Sequence, residues 1–167
     1  MSHQQLARNA LCVALCAVAT LLIRIPVPAT QGYINLGDTL IFVSALLFGP
    51  RTGGIAGGLG SAMADILAGY AHWAPLTFLI KGIEGILVGS LFRGPLRGPA
   101  AIMRGSLAVI AGGLWMILGY FLAATGLYGW QPALAAIPGN ILQALSGLIL
   151  SLPIAVGLIR AGVPRSE

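Results

Sequence analysis

Asp65, Lys81 and Glu84 are the residues of this chain best placed to do chemistry, because each is ionisable and each interrupts an apolar run. They fall in Gly53–Leu91, which reads as two apolar helices turning back on each other at Tyr70–Pro75. Ionisable groups at membrane depth are costly, and they face a bundle interior and mark a ligand or ion path. Asp65 lies six residues before Ala71 and Lys81 six after Pro75. An antiparallel hairpin therefore brings the two to one depth, at 1.5 Å of rise per residue. Lys81 and Glu84 are three apart and share a helix face. Asn140 lies eight residues after Pro132, with Gln143 one turn deeper, and Asp38 sits near the outer end of the second apolar run. These side chains converge on the outer third of a bundle, which is the signature of a pocket opening outward. The alternative is an Asp65–Lys81–Glu84 ion-pair cluster that only ties helices together. One excess negative charge in that trio, beside the uncharged Asn140 and Gln143, favours a binding site. For Asp38 a second role is helix N-capping, since its carboxylate accepts backbone N–H bonds there.

The elements that must position these groups are membrane helices. The chain has 167 residues, of which 57% are hydrophobic and 8% charged, and its mean hydropathy is +0.93. A soluble domain carries about a quarter charged residues. The apolar residues form long runs rather than one helical face, which indicates an integral membrane protein with no separate soluble domain. The first run is longer than a signal-peptide core and has no clear cleavage site, so it is kept as a span.

The expected spans are 7–25, 36–48, 53–71, 75–92, 105–125 and 132–160, with a loop at Val27–Tyr33, a linker at Arg93–Arg104 and kinks in the last span at Pro138 and Pro153. The expected fold is thus an all-α integral membrane protein, a compact bundle of six transmembrane helices with both termini cytoplasmic. Of the eight arginines, Arg8, Arg51, Arg93, Arg97, Arg104, Arg160 and Arg165 then share the terminal side and only Arg24 is opposite. An arginine-rich side is the cytoplasmic one. The net charge of +5 is accordingly a topology signal rather than a nucleic-acid stripe. The second span, at thirteen residues, gives roughly 20 Å of helix against a hydrocarbon core of ~30 Å. A re-entrant second segment with five crossings is the competing topology.

On the outer side fall Tyr33, Tyr70, His72, Trp73, Tyr128 and Trp130. They suit an interfacial aromatic belt, with one or two free to stack on a planar ligand. Gly53, Gly54, Gly57, Gly58 and Gly60 follow no strand, and no G-x-x-x-x-G-K-[ST] run occurs, so the chain has no phosphate loop. The rows Gly53/Gly57/Ser61 and Gly54/Gly58/Ala62 are small-x-x-x-small and serve close helix packing. Ala10 and Ala14 make a similar row on a first span with no charge between Arg8 and Arg24; it offers a smooth face to another membrane helix, or packs internally. Cys12 and Cys16 read as buried small apolar residues, without the ligand set a metal needs. Enzyme chemistry finds no support, because His3 and His72 lie outside the spans and no H-E-x-x-H occurs.

Several runs taken together resemble a known family. These are Asn35-Leu36-Gly37-Asp38, then Phe48-Gly49-Pro50-Arg51-x-Gly53, and the glycine-rich third span ending Asp65-x-x-x-Gly69-Tyr70. Lys81-Gly82-x-Glu84-Gly85 and Pro138-Gly139-Asn140-x-x-Gln143 follow in the same order. The chain resembles the substrate-binding S component of energy-coupling factor (ECF) vitamin transporters, in the branch of hydroxymethylpyrimidine and pyridoxine-type carriers. The resemblance implies capture of a vitamin or precursor, a small polar ring compound, from outside a prokaryotic cell membrane. It also implies docking, through Ala10 and Ala14, on a membrane T component driven by two cytoplasmic ATPases, followed by toppling of the whole protein. The Pro26–Leu36 loop would gate the pocket, and ATP would be bound by the partners and no cofactor by this chain. The substrate-binding set expected is Asn35, Asp38, Asp65, Tyr70, Trp73, Lys81, Glu84, Asn140 and Gln143. In it Lys81 and Glu84 meet ring substituents, Asp65 balances Lys81, Asn140 and Gln143 read the ligand edge, and Tyr70 or Trp73 covers its face. The competing functions are a self-sufficient porter that couples ions through Asp65 and Glu84, and a structural membrane subunit with no ligand.

Overall fold

The computed structural model describes residues 2–92 and 94–163. Arg93 and Arg165, two of the arginines expected on the terminal side, lie outside the described residues. The elements run α1 (His3–Leu22), β1 (Arg24–Val27), a 3-10 turn (Pro28–Thr30), β2 (Gly32–Asn35), α2 (Gly37–Ile55), a π-helical turn (Ala56–Gly60), α3 (Ser61–Leu67), α4 (Ala74–Leu91), α5 (Pro99–Tyr128) and α6 (Trp130–Arg160). With α2 through α3 taken as one continuous stretch, five helices among the described residues are long and apolar enough to cross a membrane.

That continuous stretch is not straight. Gly49 leaves the helical region at φ 80°, ψ −174°, and Pro50 follows it. Proline has no N–H to offer the turn before it, and glycine adopts positive φ without a Cβ penalty, so the pair reverses the chain. The two arms then lie antiparallel. A Cβ built on Gly53 would sit 2.7 Å from Ala45 Cβ, and one on Gly57 would sit 3.2 Å from Ile41 Cγ2. The glycine row of the second arm also faces α4, where a Cβ on Gly57 would collide with the Lys81 carbonyl and one on Gly85 with the Gly53 carbonyl. Backbone-close packing of this kind is what small residues allow between membrane helices. It carries Lys81 against the helix that holds Asp38.

Two expectations about regular structure are corrected. The segment between the first two spans is an antiparallel hairpin, with Arg24 opposite Asn35 and Val27 opposite Gly32, rather than a loop in an all-α chain. β-branched and aromatic residues (Ile25, Val27, Tyr33, Ile34) satisfy their backbone groups across this short ladder. The expected linker is also shorter, because Pro99 opens α5 at a position where its missing N–H costs nothing. α6 runs on as one helix through Pro138 and Pro153.

The main core, around Phe42, Leu46, Val88, Phe92 and Val109, occupies the half of the bundle near the Gly49 reversal. A smaller cluster, centred on Trp73, Ala124 and Ala133, fills the opposite end beneath the hairpin. Polar side chains collect between the two.

Candidate ligand site

The deeper layer of the site is an ion cluster. Lys81 Nζ pairs with Asp38 Oδ1, and lies 3.1 Å from Glu84 Oε2 on its own helix. All three side chains are sealed, Glu84 at 0% exposure and Lys81 and Asp38 at 1%. The Lys81 ammonium also sits 5.6 Å from the centroid of the Tyr120 ring, within the range of a cation–π contact. Glycines set this geometry from the far side, since Gly112 on α5 approaches Glu84 Cγ and Gly147 on α6 approaches Asp38 Cβ. Two carboxyls thus face one ammonium in a dry setting. Asp38 Oδ2 and Glu84 Oε1 are buried with no hydrogen-bond partner, a condition that costs free energy unless some further group satisfies it.

Gln143 ties this cluster to the hairpin. Its Nε2 donates to Asp38 Oδ1 at 3.1 Å, and its Oε1 accepts the Asn35 backbone N–H at 2.9 Å. The Asn35 side chain turns inward and accepts the Gly37 N–H at 2.8 Å. One amide from α6 therefore holds the end of β2 against the first turn of α2. Asp38 does not cap that helix, whose N-cap position is Leu36.

Above the cluster lies a cavity of about 50 Å³, lined among others by Tyr33, Asp65, Thr77, Tyr120, Asn140 and Gln143. That volume holds a few waters and is well below the roughly 300 Å³ at which ligand pockets begin. The Tyr33 hydroxyl donates to Asp65 Oδ1 at 2.7 Å, while Asp65 Oδ2 is buried and unpartnered. Burial and the neighbouring Asp65 carboxylate push the Tyr33 phenol well above the ordinary tyrosine range. It therefore stays a proton donor at physiological pH. The Tyr120 hydroxyl donates to Thr77 Oγ1 at 3.2 Å. Among the described residues, Asp65 is the one charged residue on this wall, and no lysine or arginine lines it.

The hairpin closes the cavity from outside. Trp73 Nε1 donates to the Thr30 carbonyl at 3.2 Å, Tyr33 latches to Asp65, and Gly139 of α6 packs on Ile34. Tyr33 and Tyr70 pack at a tilt of 46° with centroids 4.9 Å apart, and Trp73 packs on Tyr120 and Tyr128 at 5.8 and 5.9 Å. These rings form a roof, and Trp73, 5% exposed, is not part of an interfacial belt. Trp130, at 59% exposure, fits one.

The nine expected site residues divide into three groups. Asp38, Lys81, Glu84 and Gln143 form the deep network. Asn35, Asp65, Trp73 and Asn140 line the cavity together with Gln143, whereas Tyr70 only backs Tyr33. The expected Asp65–Lys81 pair is not formed; Lys81 takes its carboxylates from Asp38 and Glu84. Matching depth put Asp65 and Lys81 at one level, but helix rotation decides which carboxylate the ammonium meets. Tyr120 and Thr77 were absent from the expected set, since a tyrosine and a threonine inside apolar runs give no signal of their own.

Comparison with known proteins agrees with this architecture. Residues 1–160 match the family model of the ECF-type riboflavin transporter S component. The chain belongs to the S-component family of ECF-type transporters. Among its relatives is a protein similar to this S component, the thiamine precursor transporter HmpT of Lactococcus lactis, 30% identical over 155 residues that cover 92% of this chain and 87% of HmpT. An uncharacterized protein of Pyrococcus woesei is 47% identical over 133 residues, covering 80% of this chain and 86% of that one. A solved structure, described as the S component of a bacterial ECF transporter, superposes with a TM-score of 0.72 at 17% identity. It covers 96% of this S component and 98% of the other chain. This S component is therefore a multi-pass membrane protein of a vitamin-transport family.

Proposed function

We propose that this S component captures a small planar vitamin or vitamin precursor from outside and delivers it for ATP-driven uptake. The observation that carries the reading is Asp65. Its Oδ2 is buried without a hydrogen-bond partner, and the residue lines a cavity that has an aromatic roof and, among the described residues, no cation. A carboxylate so placed accepts from an N–H or O–H donor on a ring and repels phosphate esters. An amino-substituted, unphosphorylated nitrogen heterocycle suits it, in keeping with the description of HmpT as a thiamine precursor transporter. Asn140, half-buried on the same wall, supplies both a donor and an acceptor to the ligand edge. The hairpin over Arg24–Asn35 is the gate, because its latches at Thr30, Tyr33 and Asn35 are single hydrogen bonds and the cavity must enlarge to admit a ring.

In this reading the chain crosses the membrane six times, with the short arm before Gly49 as the second crossing. Both termini are read as cytoplasmic, a reading supported by the arginines at that end of the bundle: Arg8, which lies over Phe48 beside the Gly49 reversal, and Arg51. Ala10 and Ala14 are exposed on α1, on a face open to a membrane T component. The chain performs no catalysis itself and leaves ATP to two cytoplasmic ATPases on the far side of that partner.

Titration of the purified protein with 4-amino-5-hydroxymethylpyrimidine, pyridoxine, riboflavin and their phosphate esters tests the proposal. Binding of one unphosphorylated ring is expected, with Asp65→Asn weakening it about ten- to a hundredfold, the worth of a charged hydrogen bond. Tighter binding of a phosphate ester, or unchanged affinity in Asp65→Asn, overturns it.

A further inference from the structure

A second concavity lies at the other end of the molecule, between α1, the start of the second arm, and α4. It is an open groove of about 1020 Å³. Arg8 and Arg51 stand at one end, and Ile55, Leu59, Leu79 and Ile83 wall the remainder. Leu59, Leu79 and Ile83 are 45%, 57% and 41% exposed.

Among the described residues, the two arginines have no acidic partner. The three carboxylates among the described residues, Asp38, Asp65 and Glu84, are all in the ligand site, and no carboxylate lines the groove. Arg8 leans its guanidinium on the Phe48 ring at 4.8 Å, and its Nε is buried with no hydrogen-bond partner. Cationic charge at the mouth of an apolar groove between membrane helices calls for an anionic headgroup with an attached chain. The wall has a matching length. From Arg51 to Leu59 is eight residues, about 12 Å of helix, close to one leaflet's share of a ~30 Å hydrocarbon core.

We propose that this groove holds one anionic phospholipid, its phosphate between Arg8 and Arg51 and one acyl chain along Ile55, Leu59, Leu79 and Ile83. The lipid supplies a negative charge that none of the described residues provides at this end, and it covers the apolar wall while the S component stands alone in the bilayer. The site is separate from the ligand cavity and depends on membrane embedding, not on which vitamin is carried.

The test is native mass spectrometry of the full-length protein in micelles holding equimolar dioleoyl phosphatidylglycerol and dioleoyl phosphatidylcholine. One retained phosphatidylglycerol is expected, with about a fivefold or greater preference over phosphatidylcholine. Arg8→Gln/Arg51→Gln should bring that preference to about one. Arg51→Gln alone, at an exposed side chain that the fold does not need, should lower it at least twofold. Ile83→Trp should reduce retention of both lipids by filling the wall. Equal retention of the two lipids by the wild type, or full preference in both arginine variants, overturns the proposal. So does equal thermal stabilisation by inorganic phosphate, which would make the site a simple anion site. A dimer, or cross-linking of Ile83→Cys to a partner subunit with no lipid bound, would give the groove a protein occupant and overturn it as well.

Discussion

Replacing Lys81 with methionine keeps most of the side-chain volume and removes the ammonium between Asp38 and Glu84. Both carboxyls are sealed from solvent, with Glu84 at 0% and Asp38 at 1% exposure, so water cannot take over the lost role. Breaking one partner of a buried pair costs about 3–5 kcal/mol, because the remaining charge is left uncompensated. At roughly 2–4 °C per kcal/mol for a chain of this size, the melting temperature in detergent should fall by about 6–20 °C. The decisive comparison is the triple variant Asp38→Asn/Lys81→Met/Glu84→Gln, which removes the charges together. It should recover most of that loss, since isosteric neutral replacement of a buried ion cluster is close to energetically neutral. Melting curves of the wild type, Lys81→Met and the triple variant, followed by tryptophan fluorescence, make the measurement. If Lys81→Met melts with the wild type, or the triple variant is no better than the single one, the cluster does not carry the stability assigned to it.

Three other outcomes follow from the geometry. Tyr33→Phe removes the 2.7 Å bond to Asp65 and should weaken ligand affinity about tenfold while loosening the hairpin, read by calorimetry and by faster proteolysis after Arg24. Because the Tyr33 phenol lies above its ordinary value of 10.0, it donates throughout the range below that value. Ligand affinity should therefore show no alkaline loss attributable to Tyr33 up to about that pH, and a loss that disappears in Tyr33→Phe would contradict the assignment. Gly57→Ala places a methyl group on the Lys81 carbonyl and should destabilise the bundle by about 1–3 kcal/mol through overpacking, visible as a lower melting temperature. Ala14→Trp, on an exposed face, should leave ligand binding unchanged and abolish ATP-driven uptake in proteoliposomes with the proposed T component and ATPases; uptake at the wild-type rate would remove span 1 from the proposed coupling surface.

Much of this protein is legible in its sequence, for a physical reason. A bilayer demands long apolar runs and penalises every buried charge, so the helices and the few residues that break the rule stand out without any structure. Asp38, Asp65, Lys81 and Glu84 were found in this way, and the break expected between 48 and 53 falls at Gly49–Pro50. The Asn140 and Gln143 pair was located by depth alone, which rise per residue supplies.

What depth could not supply was azimuth. Whether Lys81 meets Asp65 or Asp38 depends on how far two helices rotate against each other, and that rotation follows from where Gly57, Gly85, Gly112 and Gly147 let backbones and side chains approach. The hairpin at Arg24–Asn35 was equally hidden, since four-residue strands are held by their pairing and by Gln143, Trp73 and Asp65 from distant helices. Composition and spacing therefore determined the membrane setting, the helices and the identity of the rare polar groups. Only tertiary packing decided which of those groups pair, which line a cavity, and which carboxylate oxygens are buried without a hydrogen-bond partner.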